Sequence, residues 1–206
     1  MYFIQPISNI IGALLLVLVS ACSTTLKIPP TIENKYAVYL IEYSTWGHHS
    51  LAFYNNEIFT EFTYGDWELF ALNKRDIWTA WKNMTFFTQG ALGRKSFTLN
   101  PGVPVCNQLS GCQKVVRFEA PSDKVKILYQ KLQNAYDSRI ETEILNTVEG
   151  VKFVKYEKPY WGFHNCNHEL VEWLELLGVT VTGNIFYKPQ MIKGMQPRKN
   201  PIQFLP

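Results

Sequence analysis

Apolar residues alternate every second position in some stretches of this chain and recur every third or fourth in others, and the change of period divides it into strands and helices. Residues 36–43 (YAVYLIEY) alternate with β-branched and aromatic side chains and predict a strand entering the core. After a turn at 44–47, the runs 49–54 and 57–63 flank Asn55-Asn56, asparagines that tolerate positive φ, so a β-hairpin is expected. With a side-chain period of two, His49, Leu51 and Phe53 share one face of its first strand and His48 points the other way. Helical spacing of Leu69, Leu72, Ile77, Trp78 and Trp81 predicts one or two short helices over 67–84. Residues 90–111, with Gly90, Gly93, Pro101, Gly102 and Pro104, read as loop, and 113–119 as a strand. Ser122 and Asp123 then start an amphipathic helix whose stripe is Val125, Leu128, Leu132 and Tyr136. Residues 143–148 and 151–156 predict a second hairpin around Glu149-Gly150. In 169–178, Leu170, Val171, Trp173, Leu174 and Leu177 form an apolar face, Glu169, Glu172 and Glu175 an outer one, and Gly178 a stop. The tail 189–206 is expected to wrap the surface.

The chain has 206 residues, of which 47% are hydrophobic, enough for one domain with a sizeable core. Its net charge of +3 is small and its Lys and Arg dispersed, which argues against a nucleic-acid surface. Residues 1–21 read as a secretory signal whose apolar stretch is too short to span a bilayer comfortably. Val19-Ser20-Ala21-Cys22 resembles the bacterial lipobox, which implies that Cys22 is acylated and becomes the N-terminus of a membrane-anchored lipoprotein. Ser23 in place of Asp then implies sorting to the outer membrane, facing the periplasm. The expected organisation is a signal peptide at 1–21, a lipidated tether at 22–35 containing Pro29-Pro30, and a folded domain at 36–206.

Cysteine usage sharpens the picture. In an oxidising compartment, Cys106 and Cys112, six positions apart in a loop, are close enough to pair. Cys166 is left over, at the start of a helix, where unpaired backbone N–H groups and the helix dipole stabilise a thiolate. It is a candidate nucleophile in need of a base. His49, on the core-facing side of its strand, is the preferred base, and Glu61, Thr60 or Thr63 on the paired strand could orient it, Glu61 first. His164 and His168 are alternative bases beside the thiol. His48, His49, His164, Cys166 and His168 match no zinc spacing, so neither a metal nor another cofactor is expected. Among the aromatics, Trp46, Tyr64, Trp67, Tyr160 and Trp161 can line a groove or serve as packing.

These residues carry a resemblance. Trp46-Gly47-His48-His49-Ser50-Leu51, then Glu61-Phe62-Thr63-Tyr64-Gly65-Asp66-Trp67, then Asn165-Cys166-Asn167, are similar to a bacterial family designated domain of unknown function 2459. Histidine first and cysteine last is also the order of the circularly permuted, NlpC-type branch of the papain-like hydrolases. Position 48 departs from the pattern with a second histidine, position 63 with Thr for Gly, and position 168 with a histidine. The resemblance implies an α+β, papain-like fold in which a small antiparallel sheet packs on helices. It implies Cys166 as nucleophile, His49 as base, Glu61 as orienting group and Asp66 as a structural turn residue. His48, Tyr64, Trp67, Trp46, Asn165 and Asn167 are candidate substrate-binding residues. A Cys-His hydrolase acting on cell-wall peptide or on acyl and amide substrates is the first functional expectation; an inactive binding or scaffolding lipoprotein is the second.

Overall fold

The structure is a computed structural model that describes residues 24–28, 34–44, 48–55 and 57–183. The signal segment, Cys22, Trp46 and the tail 189–206 lie outside the described residues. The fold is α+β and dominated by an antiparallel sheet of seven strands: β2 (Lys35–Tyr43), β3 (His49–Tyr54), β4 (Ile58–Asp66), β5 (Thr88–Thr98), β6 (Cys112–Pro121), β7 (Ile144–Asn146) and β8 (Val151–Tyr160). Their spatial order is β6-β2-β3-β4-β5-β8-β7. A separate pair joins β1 (Thr24–Lys27) to β9 (Thr180–Gly183), so part of the segment expected as a free tether is a paired strand with Leu26 buried. The sheet is larger than the small one expected.

Cross-strand register assigns the two faces. Leu40 lies opposite Leu51, and Leu51 opposite Phe62. This face packs against α2 (Ser122–Asp137) and α3 (Cys166–Leu176), with Val125, Leu128 and Leu132 of one helix and Leu170, Trp173 and Leu174 of the other in a single cluster. Each fully buried Leu there contributes roughly 1.5–3 kcal/mol relative to exposure. The opposite face carries Tyr39, Ile41, Ala52 and Phe59 under Leu99, Val105 and Leu109, and Ala91 and Phe153 under Leu69, Phe70 and Ala71 of a π-helical turn, Trp67–Ala71.

Cys106 and Cys112 are disulfide-bonded, with Cα atoms 5.4 Å apart, and tie the covering loop to the start of β6. The region read as loop from 90 begins later, because β5 is a central strand between β4 and β8. Its glycines mark close approach of neighbours, not turns. A Cβ on Gly90 would lie 2.1 Å from the Lys158 carbonyl oxygen, and one on Gly93 would lie 2.6 Å from both the Phe153 ring and the Thr63 methyl. The helix expected near 77 is present as α1 (Ile77–Thr85), capped by Asp76, whose carboxylate accepts from the N–H groups of Trp78 and Thr79. No described helix is long and apolar enough to cross a membrane.

Candidate active site at the start of helix α3

The chain reaches α3 through a tight loop in which Trp161 and His164 exchange backbone hydrogen bonds of 3.1 and 3.0 Å. Gly162 is required there, since a Cβ would fall 2.6 Å from the Met84 carbonyl oxygen at the end of α1. Asn165 then caps the helix: its Oδ1 accepts from the Asn167 N–H at 3.0 Å, and its Nδ2 donates to the Gly162 carbonyl at 3.3 Å. His168 completes a capping box, its Nδ1 3.4 Å from the Asn165 N–H and 3.0 Å from Asn165 Oδ1. Both expected substrate-binding asparagines are buried; Asn165 is a cap, whereas Asn167 Oδ1 has no hydrogen-bond partner among the described residues.

Cys166 is the first residue of α3 and the free cysteine among the described residues. The Tyr160 hydroxyl and the backbone N–H groups at the helix start favour the thiolate form of its sulfur. Desolvation nevertheless outweighs these groups and pushes the thiol up to about 11. The expectation of a thiolate stabilised by the helix start is therefore corrected: the resting group is a neutral thiol, and a base must activate it.

Aromatic hydroxyls surround it. Tyr64 packs its ring 5.7 Å from that of Tyr160 and donates to the Pro159 carbonyl at 2.9 Å. Asp66 is fully buried; its Oδ1 accepts from the Leu69 N–H at 2.8 Å, which confirms its turn role, and its Oδ2 has no hydrogen-bond partner among the described residues. Burial holds the Tyr64 and Tyr160 hydroxyls well above the ordinary tyrosine pKa, with Glu169 adding to the effect at Tyr64 and Asp66 at both.

The two consecutive histidines go to opposite faces. His49 stands on the helix-packed face with Leu51 and Phe53, is buried, and lies directly across the β2–β3 ladder from Glu42. His48 faces the other side, hydrogen-bonded through Nε2 to Thr63 Oγ1 and packed with its ring tilted, 4.8 Å from the Phe70 ring. Burial, reinforced by the neighbouring His49 and Arg75 charges, lowers it to about 3 and keeps it neutral. His48 is thus not at the Cys166 site.

Glu61 must be reassigned as well. It lies opposite Ala52 on the face of His48, where its Oε1 accepts from Ser50 Oγ at 2.6 Å and from the Tyr43 hydroxyl at 2.7 Å. Glu61 cannot orient His49, because β4 residues of odd number point away from the helices. Thr63 shares that face, and Thr60 lies further along β4, opposite Phe53, where its hydroxyl accepts from Ser96 at 3.1 Å. Facing His49 across the β2–β3 ladder is the carboxylate of Glu42, which sequence reasoning overlooked; the register of the 36–43 strand against 49–54 was the signal that could have found it. Trp67 is also on the far side, in the π-helical turn, with the Lys155 ammonium 5.6 Å from its ring centre.

His164 and His168 have other engagements. His164 Nε2 lies 3.3 Å from Glu169 Oε2, and its ring packs 5.7 Å from that of Tyr64. Glu169, expected on the outer face of α3, is fully buried, because Lys158 Nζ at 2.8 Å and Trp173 Nε1 at 2.9 Å donate to its carboxylate. His164, Glu169 and Glu172 bring three possible metal-ligand atoms within 4.8 Å of one another, but the Lys158 ammonium already bridges the two carboxylates.

The structure therefore brings Cys166, Tyr160, Tyr64 and Asp66 together, sets His49 and Glu42 on the same face of the sheet, and separates His48, Glu61 and Trp67 from them. Comparison of the chain with protein-family models, with curated proteins and with solved structures finds no match.

Proposed function

We propose that this chain is a cell-envelope lipoprotein of the bacterial family designated domain of unknown function 2459, with a permuted papain-like cysteine hydrolase domain. The observation that carries the reading is the placement of Cys166 at a capped helix start that packs on the sheet face bearing His49. In this mechanism His49 takes the thiol proton as Cys166 Sγ attacks a carbonyl carbon, and Glu42 holds the imidazolium. The Cys166 N–H and the Tyr160 hydroxyl stabilise the developing oxyanion. The C–N or C–O bond then breaks, and His49 returns its proton to the departing amine or alcohol. Water, deprotonated by the same ring, hydrolyses the thioester and restores the thiol. Substrates are amide-linked cell-wall peptides or acyl groups, and the acylated Cys22 holds the domain at the outer membrane.

A second reading, a binding lipoprotein without turnover, is favoured by one observation: burial keeps the thiol protonated up to about 11. Intact-mass analysis separates the two. After incubation with muropeptides in one arm and phospholipid vesicles in another, the hydrolase reading expects a thioester adduct on Cys166, released by neutral hydroxylamine and absent in Cys166→Ala. Absence of adduct and of product in both arms supports the binding reading.

A further inference from the structure

Helix α1 is built inside out. Its buried side chains are Thr79 and Asn83, while Ile77 (87% exposed), Trp78 (72%), Trp81 and Met84 face outward. The exposed surface continues through Phe86 and Phe87 (68%) to Phe163 in the loop before α3. Its rings touch one another: Trp78 stacks on Trp81 at 5.2 Å, Trp81 meets Phe86 at 5.6 Å, Phe87 meets Trp161 at 4.6 Å and Trp161 meets Phe163 at 4.9 Å. The contact of Gly162 with Met84 locks the loop to the end of α1, so the two elements present one surface. A contiguous patch of this kind marks a face that is covered by something.

We propose that this face docks on a phospholipid leaflet, with Trp78, Trp81 and Phe87 seated at the boundary of headgroups and acyl chains. Three features select a leaflet as the occupant. The residue types are those of an interfacial helix, with indoles and phenyl rings on one side and short polar residues on the other. Charge does not oppose phosphate: no Asp or Glu occurs between positions 77 and 118, the Asp76 carboxylate is engaged by the N–H groups at the start of α1, and Glu68 is paired with Lys74 and Lys82 at 3.2 and 3.0 Å. The chain also leaves little slack, since β1 is paired with β9 from Thr24, two positions after Cys22. An acylated Cys22 therefore keeps the folded domain close against the membrane.

The inference rests on the envelope placement of the chain but not on any chemistry at Cys166, so it can fail or succeed independently of the hydrolase reading. The test is quenching of tryptophan fluorescence by phosphatidylcholine vesicles with brominated acyl chains, a readout of side-chain depth that holds whether or not Cys22 carries lipid. Wild type and Cys166→Ala are expected to be quenched alike, while Trp173, buried in the core, gives an unquenched baseline. Trp78→Phe/Trp81→Phe keeps the apolar face and is expected to lose more than half of the quenched signal. Ile77→Ser/Trp78→Ser/Phe87→Ser is expected to abolish quenching of Trp81 and Trp161 while the near-ultraviolet circular dichroism of the core is retained. Bound protein whose fluorescence is the same with brominated and plain lipid overturns the proposal. So does burial of these tryptophans in a protein dimer that vesicles do not dissociate.

Discussion

His48 and His49 are consecutive, chemically identical and both buried, yet they belong to different compartments of the molecule. On the helix side of the sheet, His49 shares a face with Glu42 and with the apolar surface on which α3, and hence Cys166, is mounted. On the other side, His48 bonds to Thr63 beside Phe70, and Glu61 accepts from Ser50 and Tyr43. The first side carries a thiol at a helix start; in the second, Oε1 of the carboxylate already accepts two hydroxyls. The difference teaches that one peptide step along a strand decides whether a histidine can act on a distant thiol or only hold its own sheet together.

The comparison predicts that changes on the helix side alter chemistry and changes on the far side alter stability. The largest effect is expected for His49→Gln, which should lower thioester formation on Cys166 by about 10²–10⁴-fold, the range of a lost general base. His48→Gln should leave that rate within a few-fold, and intact-mass kinetics of the two variants side by side measure the contrast. Glu42→Gln should cost about tenfold or more through loss of the carboxylate facing His49 across the β2–β3 ladder, whereas Glu61→Gln should not change the rate. An equal loss in the two glutamate variants would break the assignment by face.

Stability should show the reverse order. Glu61→Ala leaves the buried Ser50 and Tyr43 hydroxyls without their acceptor and should destabilise the fold by roughly 1–3 kcal/mol in urea unfolding. Acid should act through His48, whose folded value of about 3 lies below the ordinary 6.5. Between these values the unfolded chain binds the proton and the folded chain does not. Its contribution is complete above pH 6.5 and is lost as pH falls towards 3, at up to about 1.4 kcal/mol per pH unit. His48→Gln should flatten that slope. Glu61 runs the other way: burial raises its carboxyl, so its contribution is present below the ordinary 4.5 and is lost as pH rises through the folded value.

Much of this division was legible in the sequence. Alternation in 49–54 separated His48 from His49, the apolar stripe of 122–137 found its helix, and cysteine spacing identified the disulfide that the structure contains. Glu61 was misread because its partner depends on cross-strand register, which fixes face only after the turn is known. Gly90 and Gly93 suggested a loop, whereas they relieve contacts with β8 and β4 that no local pattern reveals. Glu169 looked like a solvated position in a helical repeat; its burial depends on Lys158, eleven residues earlier on another element. The outward aromatic side of α1 had the period of a core stripe, and period alone does not say which side of a helix meets the rest of the protein.

The account's central claim is that His49, across the sheet face from the start of α3, activates Cys166. The pH profile of Cys166 alkylation by iodoacetamide in the folded protein tests it most directly, with wild type, His49→Gln and His48→Gln compared. The account predicts an inflection near neutral pH in wild type and His48→Gln that disappears in His49→Gln, leaving only the rise of a half-buried thiol towards about 11. The same rise towards about 11 in all three proteins, with no inflection near neutrality, would contradict it.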